Sequence, residues 1–108
     1  MIQDKIHIGM LNDYYGGILN SHQQEIMRMY FDCDMSLAEI GEFMGVTRQA
    51  IREVLVRSTK KLTQMEEKLQ LVQKIKVISQ RLDSIIEKTA DKNIKSELKE
   101  LSKEIKEI

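Results

Sequence analysis

From Arg48 to Ile108, 61 consecutive residues contain neither glycine nor proline. Proline is absent from the rest of the chain as well, and glycine stands at only five positions. Nothing in that stretch supplies the φ freedom or the missing N–H that breaks a helix, so the backbone is expected to coil almost throughout. A sandwich, a barrel or a disulfide-stapled module is excluded by the same composition. The 108 residues, 42% hydrophobic and 31% charged, suffice for one small domain with an appended arm. The expectation is an all-α protein: a helix-turn-helix head over 1–61 and a tail over 62–108 used for packing or dimerisation.

A formal net charge of zero hides a division along the chain. Residues 1–47 carry two cations against seven carboxylates, a net of −5. Residues 48–76 carry eight cations against three carboxylates, a net of +5, and 77–108 balance at seven of each sign. An acidic front, a basic middle and a mixed-sign tail imply three different tasks. No run approaches the roughly 18–20 apolar residues of a membrane span, so no membrane insertion is expected. The first residues lack the basic-then-apolar layout of a secretory signal, and a single cysteine forms no intrachain bridge. The expected compartment is the cytoplasm.

Along the head, Ile6, Met10 and Tyr14 fall at i, i+4 and i+8, with Leu11 and Tyr15 alongside, and predict one buried face of a first helix ended by Gly16-Gly17. Ser21 with Gln24 predicts a capping box opening a second helix whose candidate buried face is Ile26, Met27, Met29, Tyr30 and Phe31. Ser36 with Glu39 predicts another box, Gly45 a left-handed stop, and Thr47 the cap of a fourth helix. In the tail the apolar seam Leu62, Met65, Leu69, Val72, Ile75, Ile78, Leu82, Ile85 predicts one long helix over 62–89, with a heptad slip near 72–78. A loop over 89–93, with Asp91 as a cap, precedes the seam Ile94, Leu98, Leu101, Ile105, Ile108 of a terminal helix. That coiled-coil-like seam is satisfied by an intrachain hairpin, by a second chain, or by both.

Two short helices across one glycine turn have a packing arithmetic that this sequence obeys. With Leu37 as the first position and Gly45 as the ninth, the positions that must be buried fall on Ile40, Met44, Val46, Ile51 and Val54. The fifth, where the crossing leaves least room, is Gly41. Facing outward on the second helix are Thr47, Arg48, Gln49, Arg52, Glu53 and Val56, followed by Arg57, Lys60 and Lys61. Thr47, Arg48, Gln49, Arg52 and Glu53 can meet base edges, and Arg57, Lys60 and Lys61 suit phosphates. Glu53 repels phosphate unless it accepts from a cytosine amino group. The expected partner is nucleic acid, DNA before RNA, with a homodimer formed through the C-terminal helices.

Leu19-Asn20-Ser21-His22-Gln23-Gln24, Ser36-Leu37-Ala38-Glu39-Ile40-Gly41 and Gly45-Val46-Thr47-Arg48-Gln49-Ala50-Ile51-Arg52 together resemble region 4 of bacterial primary sigma factors. That region is the helix-turn-helix that reads the −35 promoter element. Gln49 and Glu53 stand where region 4 usually has an acidic residue and an amide. Over the whole chain, with Tyr14-Tyr15 and the long charged tail, the sequence resembles the YlxM family, small bacterial proteins usually encoded beside signal-recognition-particle genes. The resemblance implies a DNA-binding regulator, or a protein-interaction adaptor or RNA-binding accessory, acting in the signal recognition particle pathway.

Other reactive residue types carry no site. His7 and His22 have no partner at metal-ligand spacing, and Cys33 between Asp32 and Asp34 reads as a small loop residue. The seven methionines fall at helical spacing beside Ile and Leu, as core residues do. Without a phosphate loop or a nucleophile motif, neither an enzyme nor a cofactor is expected.

Overall fold

The computed structural model describes residues 4–108 and contains six α-helices, with no strand among those residues. They divide into a first unit ending at Leu69 and a second running from Gln70 to Ile108.

In the first unit, α1 (Lys5–Tyr15) passes through a 3₁₀ turn (Gly16–Ile18) into α2 (Ser21–Phe31), then α3 (Leu37–Met44) and α4 (Arg48–Leu69). Helices α1, α2 and α3 all pack against α4. Its inner stripe of Ile51, Leu55, Ser58 and Leu62 is therefore the spine of the core. Against it lie Ile8, Leu11 and Tyr15 of α1, Ile26, Met27 and Met29 of α2, and Leu37 and Ile40 of α3. The phase of α1 differs from the sequence expectation: Ile6 is 86% exposed and Met10 also faces solvent, whereas Ile8 is buried. Both stripes have helical spacing, but only the one ending at Tyr15 sets a phenol where it donates to Glu66 Oε1, 2.5 Å away on the last turns of α4.

The cap of α2 also shifts, by one residue. Asn20 is the N-cap and exchanges hydrogen bonds with Gln23, while Ser21 opens the helix. Gln24 instead donates to the carbonyls of Gly16 and Leu19, fastening the 3₁₀ turn to α2. The Ser36–Glu39 box forms as expected, with both hydrogen bonds at 3.1 Å. The Ser36 N–H and hydroxyl hold the Glu39 carboxyl below its ordinary range.

The second unit is a helical hairpin of α5 (Leu71–Lys88) and α6 (Lys92–Lys106). The expected single helix over 62–89 is interrupted at Gln70, whose φ of 52° lies in the left-handed region. Read as two helices, the seams are regular. Ile51, Leu55, Ser58, Leu62, Met65 and Leu69 form one; Leu71, Ile75, Ile78, Leu82, Ile85 and Thr89 form the other. The heptad slip belongs to the junction rather than to 72–78. Asp91 caps α6, accepting from the N–H groups of Asn93 and Ile94. The small side chains of Ser79 and Ser102 are buried where the helices meet, and Ser102 donates to Asp83 at 3.3 Å.

Candidate nucleic-acid interface

The corner between α3 and α4 is set by backbone geometry. Gly45 has φ 72° and ψ 29°, which L side chains rarely adopt, and Val46 N–H closes the turn onto Gly41 O at 2.9 Å. At Gly41 a Cβ would stand 2.8 Å from Val46 O and 3.3 Å from Arg48 N. Gly41 is thus the close-approach position the motif requires, although the obstacle is the turn's backbone rather than a side chain of α4. Ile40 and Ile51 are fully buried and Met44 and Val54 half-buried, whereas Val46, expected inside, is 44% exposed. Its backbone makes the contact with α3, leaving the side chain outside. Leu55, absent from the expected set, is fully buried.

Thr47 caps α4, its Oγ1 accepting from Ala50 N–H at 3.0 Å. One acceptor role of that hydroxyl is therefore occupied, and its proton remains for an outside acceptor. Thr47, Arg48, Gln49, Arg52, Glu53, Arg57, Lys60 and Lys61 are all exposed. With about 100° of turn per residue, Gln49, Glu53, Val56 and Lys60 lie directly opposite the buried stripe. Arg52 flanks that row on one side; Arg57 and Lys61 flank it on the other. Arg48 projects from the first turn. Lys68 continues the Arg57–Lys61 row three turns on, which the i, i+4, i+11 spacing would have revealed.

The arrangement is a ridge with Glu53 and Lys60 on its crest and the other cations on its slopes. Among the described residues none of Arg48, Arg52, Arg57, Lys60 and Lys61 forms an ion pair, so each guanidinium or ammonium keeps its donors for solvent or ligand. The cations of the acidic front are engaged differently. Lys5 bonds Asp34 at 3.0 Å and lies 4.3 Å from the Tyr30 ring centroid, and Arg28 pairs with Glu25. That pairing holds the Arg28 guanidinium above its ordinary value. The ridge stands on the helix that carries the core, so its side chains are projected from a rigid element. Cys33 is exposed and accepts from Arg28 at 3.3 Å. Among the described residues no three His, Cys, Asp or Glu side chains gather as a metal site, and no helix is long and apolar enough to cross a membrane.

Comparison with known proteins matches residues 2–105 to the family described as "Putative helix-turn-helix protein, YlxM / p13 like". A UPF0122 protein of Clostridium novyi is 39% identical, the match covering 97% of this chain and 94% of the relative. One from Clostridium acetobutylicum is 35% identical over 96% of each chain. A third, from Desulforamulus reducens, reaches 46% over 73% of this chain and 68% of its own.

Proposed function

The chain belongs to the YlxM / p13-like helix-turn-helix family, and we propose that it is a cytoplasmic DNA-binding regulatory protein whose reading element is the first half of α4. The observation that carries this reading is the ridge itself: five unpaired cations on a capped, core-anchored helix beyond a helix-turn-helix corner. Arg48, Gln49 and Arg52, with the free proton of Thr47, meet base edges. Arg57, Lys60 and Lys61 meet phosphates, and Glu53 selects by accepting from a cytosine amino group. Two copies joined through α5 and α6 carry two such helices. A role in the signal recognition particle pathway rests on the family resemblance alone.

Glu53 on the crest is the observation that favours a second reading, in which α4 tracks RNA phosphates or an acidic protein surface as an accessory or adaptor. Titration of wild type and the Arg48→Ala/Arg52→Ala variant against random duplex DNA and structured RNA at low salt separates the two. Five cationic contacts give a log–log salt slope of about −4 to −5 on duplex DNA. Lys60→Ala should flatten it by about one unit while weakening all sequences alike. The double variant should lose on the order of tenfold or more on a preferred site. Absence of wild-type binding to both nucleic acids would leave the adaptor reading, and equal RNA binding by both proteins would move the contact off this helix.

A further inference from the structure

The hairpin of α5 and α6 leaves an apolar face open. Ile78 and Ile85 of α5 are 43% and 48% exposed, and Ile94 and Leu101 of α6 are 51% and 48% exposed. A hairpin of 39 residues (70–108) falls below the roughly 40 residues at which a domain without disulfides or metals usually needs oligomerisation. Helical rotation places these exposed residues together. On α5 the exposed stripe lies about 110° from Val72, Ser79 and Ile86, which turn toward α6; on α6 it lies about 90° from Ser102. Because the helices are antiparallel, both offsets point to the same side of the hairpin. The Asp83–Lys106 ion pair, at 3.7 Å, lies on the opposite side.

The edges of that face carry opposite charges. Beyond the α5 stripe stand Lys74, Arg81 and Lys88, spaced by seven; beyond the α6 stripe stand Glu97 and Glu104, also spaced by seven. In heptad terms these are the g positions, while Ser79 and Ser102 at e already face each other within the chain. Antiparallel helices bring g against g, so a neighbour for the basic edge must offer an acidic one.

Resting on the dimer reading above, we propose that two copies of this chain close their open faces into an antiparallel four-helix bundle, α5 of each copy lying over α6 of the other. Only a two-fold axis parallel to the helices sets the basic edge over the acidic edge. An axis across the helices would set Arg81 and Lys88 over their own copies. An axis parallel to the helices also preserves height. Asp83 stands level with Ser102, to which it is bonded. Two residues back on α5 and two on along α6 bring Arg81 level with Glu104. Five residues on and five back bring Lys88 level with Glu97. The bundle therefore pairs Arg81 with Glu104 of the second copy and Lys88 with Glu97 of the second copy, twice each.

Sedimentation equilibrium on the full chain tests this with two charge-reversed proteins, Arg81→Glu/Lys88→Glu and Glu97→Lys/Glu104→Arg. All four positions are exposed, so unchanged helicity is expected and is checked by circular dichroism. Each variant alone should dimerise with a Kd raised on the order of tenfold or more, since four pairs become repulsive. An equimolar mixture should recover dimer, as should the variant carrying all four changes, whose code is inverted but complementary. Wild-type-like dimerisation by both two-site variants, or no recovery on mixing and none in the four-site variant, overturns this interface while leaving some other dimer standing. A wild type that stays monomeric at tens of micromolar overturns the dimer reading along with it.

Discussion

The two units solve the same problem, burying one face of a helix, with opposite results. In the first, α4 is flanked by three other helices, and Ile51, Leu55, Ser58 and Leu62 disappear entirely into the contact. Outside, Arg48, Arg52, Arg57, Lys60 and Lys61 are exposed and form no ion pair among the described residues. In the second, α5 packs against α6, and Ile78, Ile85, Ile94 and Leu101 stay about half exposed. A finished core leaves a helix free to present chemistry, whereas an unfinished one turns its surface into a demand for another protein surface. For that reason the proposed nucleic-acid recognition falls to the first unit and the proposed self-association to the second.

The largest expected effect strikes the finished core. Gly41→Leu places a Cβ and more where Val46 O leaves 2.8 Å, and backbone rather than a flexible side chain must give way. Leucine has the better helix propensity, so propensity and packing oppose each other at this position, and packing should win by about 3 kcal/mol. Thermal denaturation should show a fall of about 10–20 °C. A rise would dissolve the contrast between the units, because the α3–α4 corner would then have room to spare.

The next effect strikes the unfinished face. Leu98→Lys/Leu101→Lys puts two ammonium groups on the open face of α6, where Leu98 is half-buried and Leu101 is 48% exposed. Light scattering should report a fall from dimer to monomer mass. Melting should fall by about 1–3 kcal/mol equivalent, the usual cost of charging a partly covered apolar contact. Nucleic-acid binding per head should persist. Unchanged mass and melting temperature together would show that the seam has no mate and would leave the comparison without its second term.

How far the sequence spoke for each unit follows from where its signals were unique. Ser36, Glu39, Gly45 and Thr47 are legible because each has one feasible role, and the structure gives each that role. In α1, apolar residues populate two faces; what selects Ile8 over Ile6 is packing against α4 and the Tyr15–Glu66 contact, 51 residues apart in sequence. At the start of α2, Asn20 and Ser21 are both competent caps and Gln23 and Gln24 both competent partners. The tie is broken by Gln24 being needed at Gly16 and Leu19. Gln70 carries no breaker chemistry at all, and its left-handed φ is foreshadowed only by the slipped heptad. The outward residues of α4 are legible as a row, but the central place of Glu53 within it requires the buried stripe to be known first.

The smallest effect concerns the box that starts the helix-turn-helix. Glu39 accepts from Ser36 N–H at 3.1 Å, and its carboxyl sits below the ordinary range chiefly because that backbone donor, and then the Ser36 hydroxyl, favour the charged form. A depressed folded pKa means that the ionised carboxylate stabilises the fold above its unfolded value. The contribution is lost as pH falls through the folded one. Glu39→Gln keeps an acceptor for Ser36 N–H and removes only the charge, so it isolates the electrostatic part of the box. Denaturation across pH should show the variant slightly less stable than wild type at neutrality, with the two curves converging in acid once Glu39 is protonated. Because the group is solvent-exposed, added salt should shrink the neutral-pH gap. Parallel curves, separated by the same amount at every pH, would mean that the box acts through its hydrogen bonds alone. The corner presenting α4 would then owe its stability to Gly41 and Gly45 without help from charge.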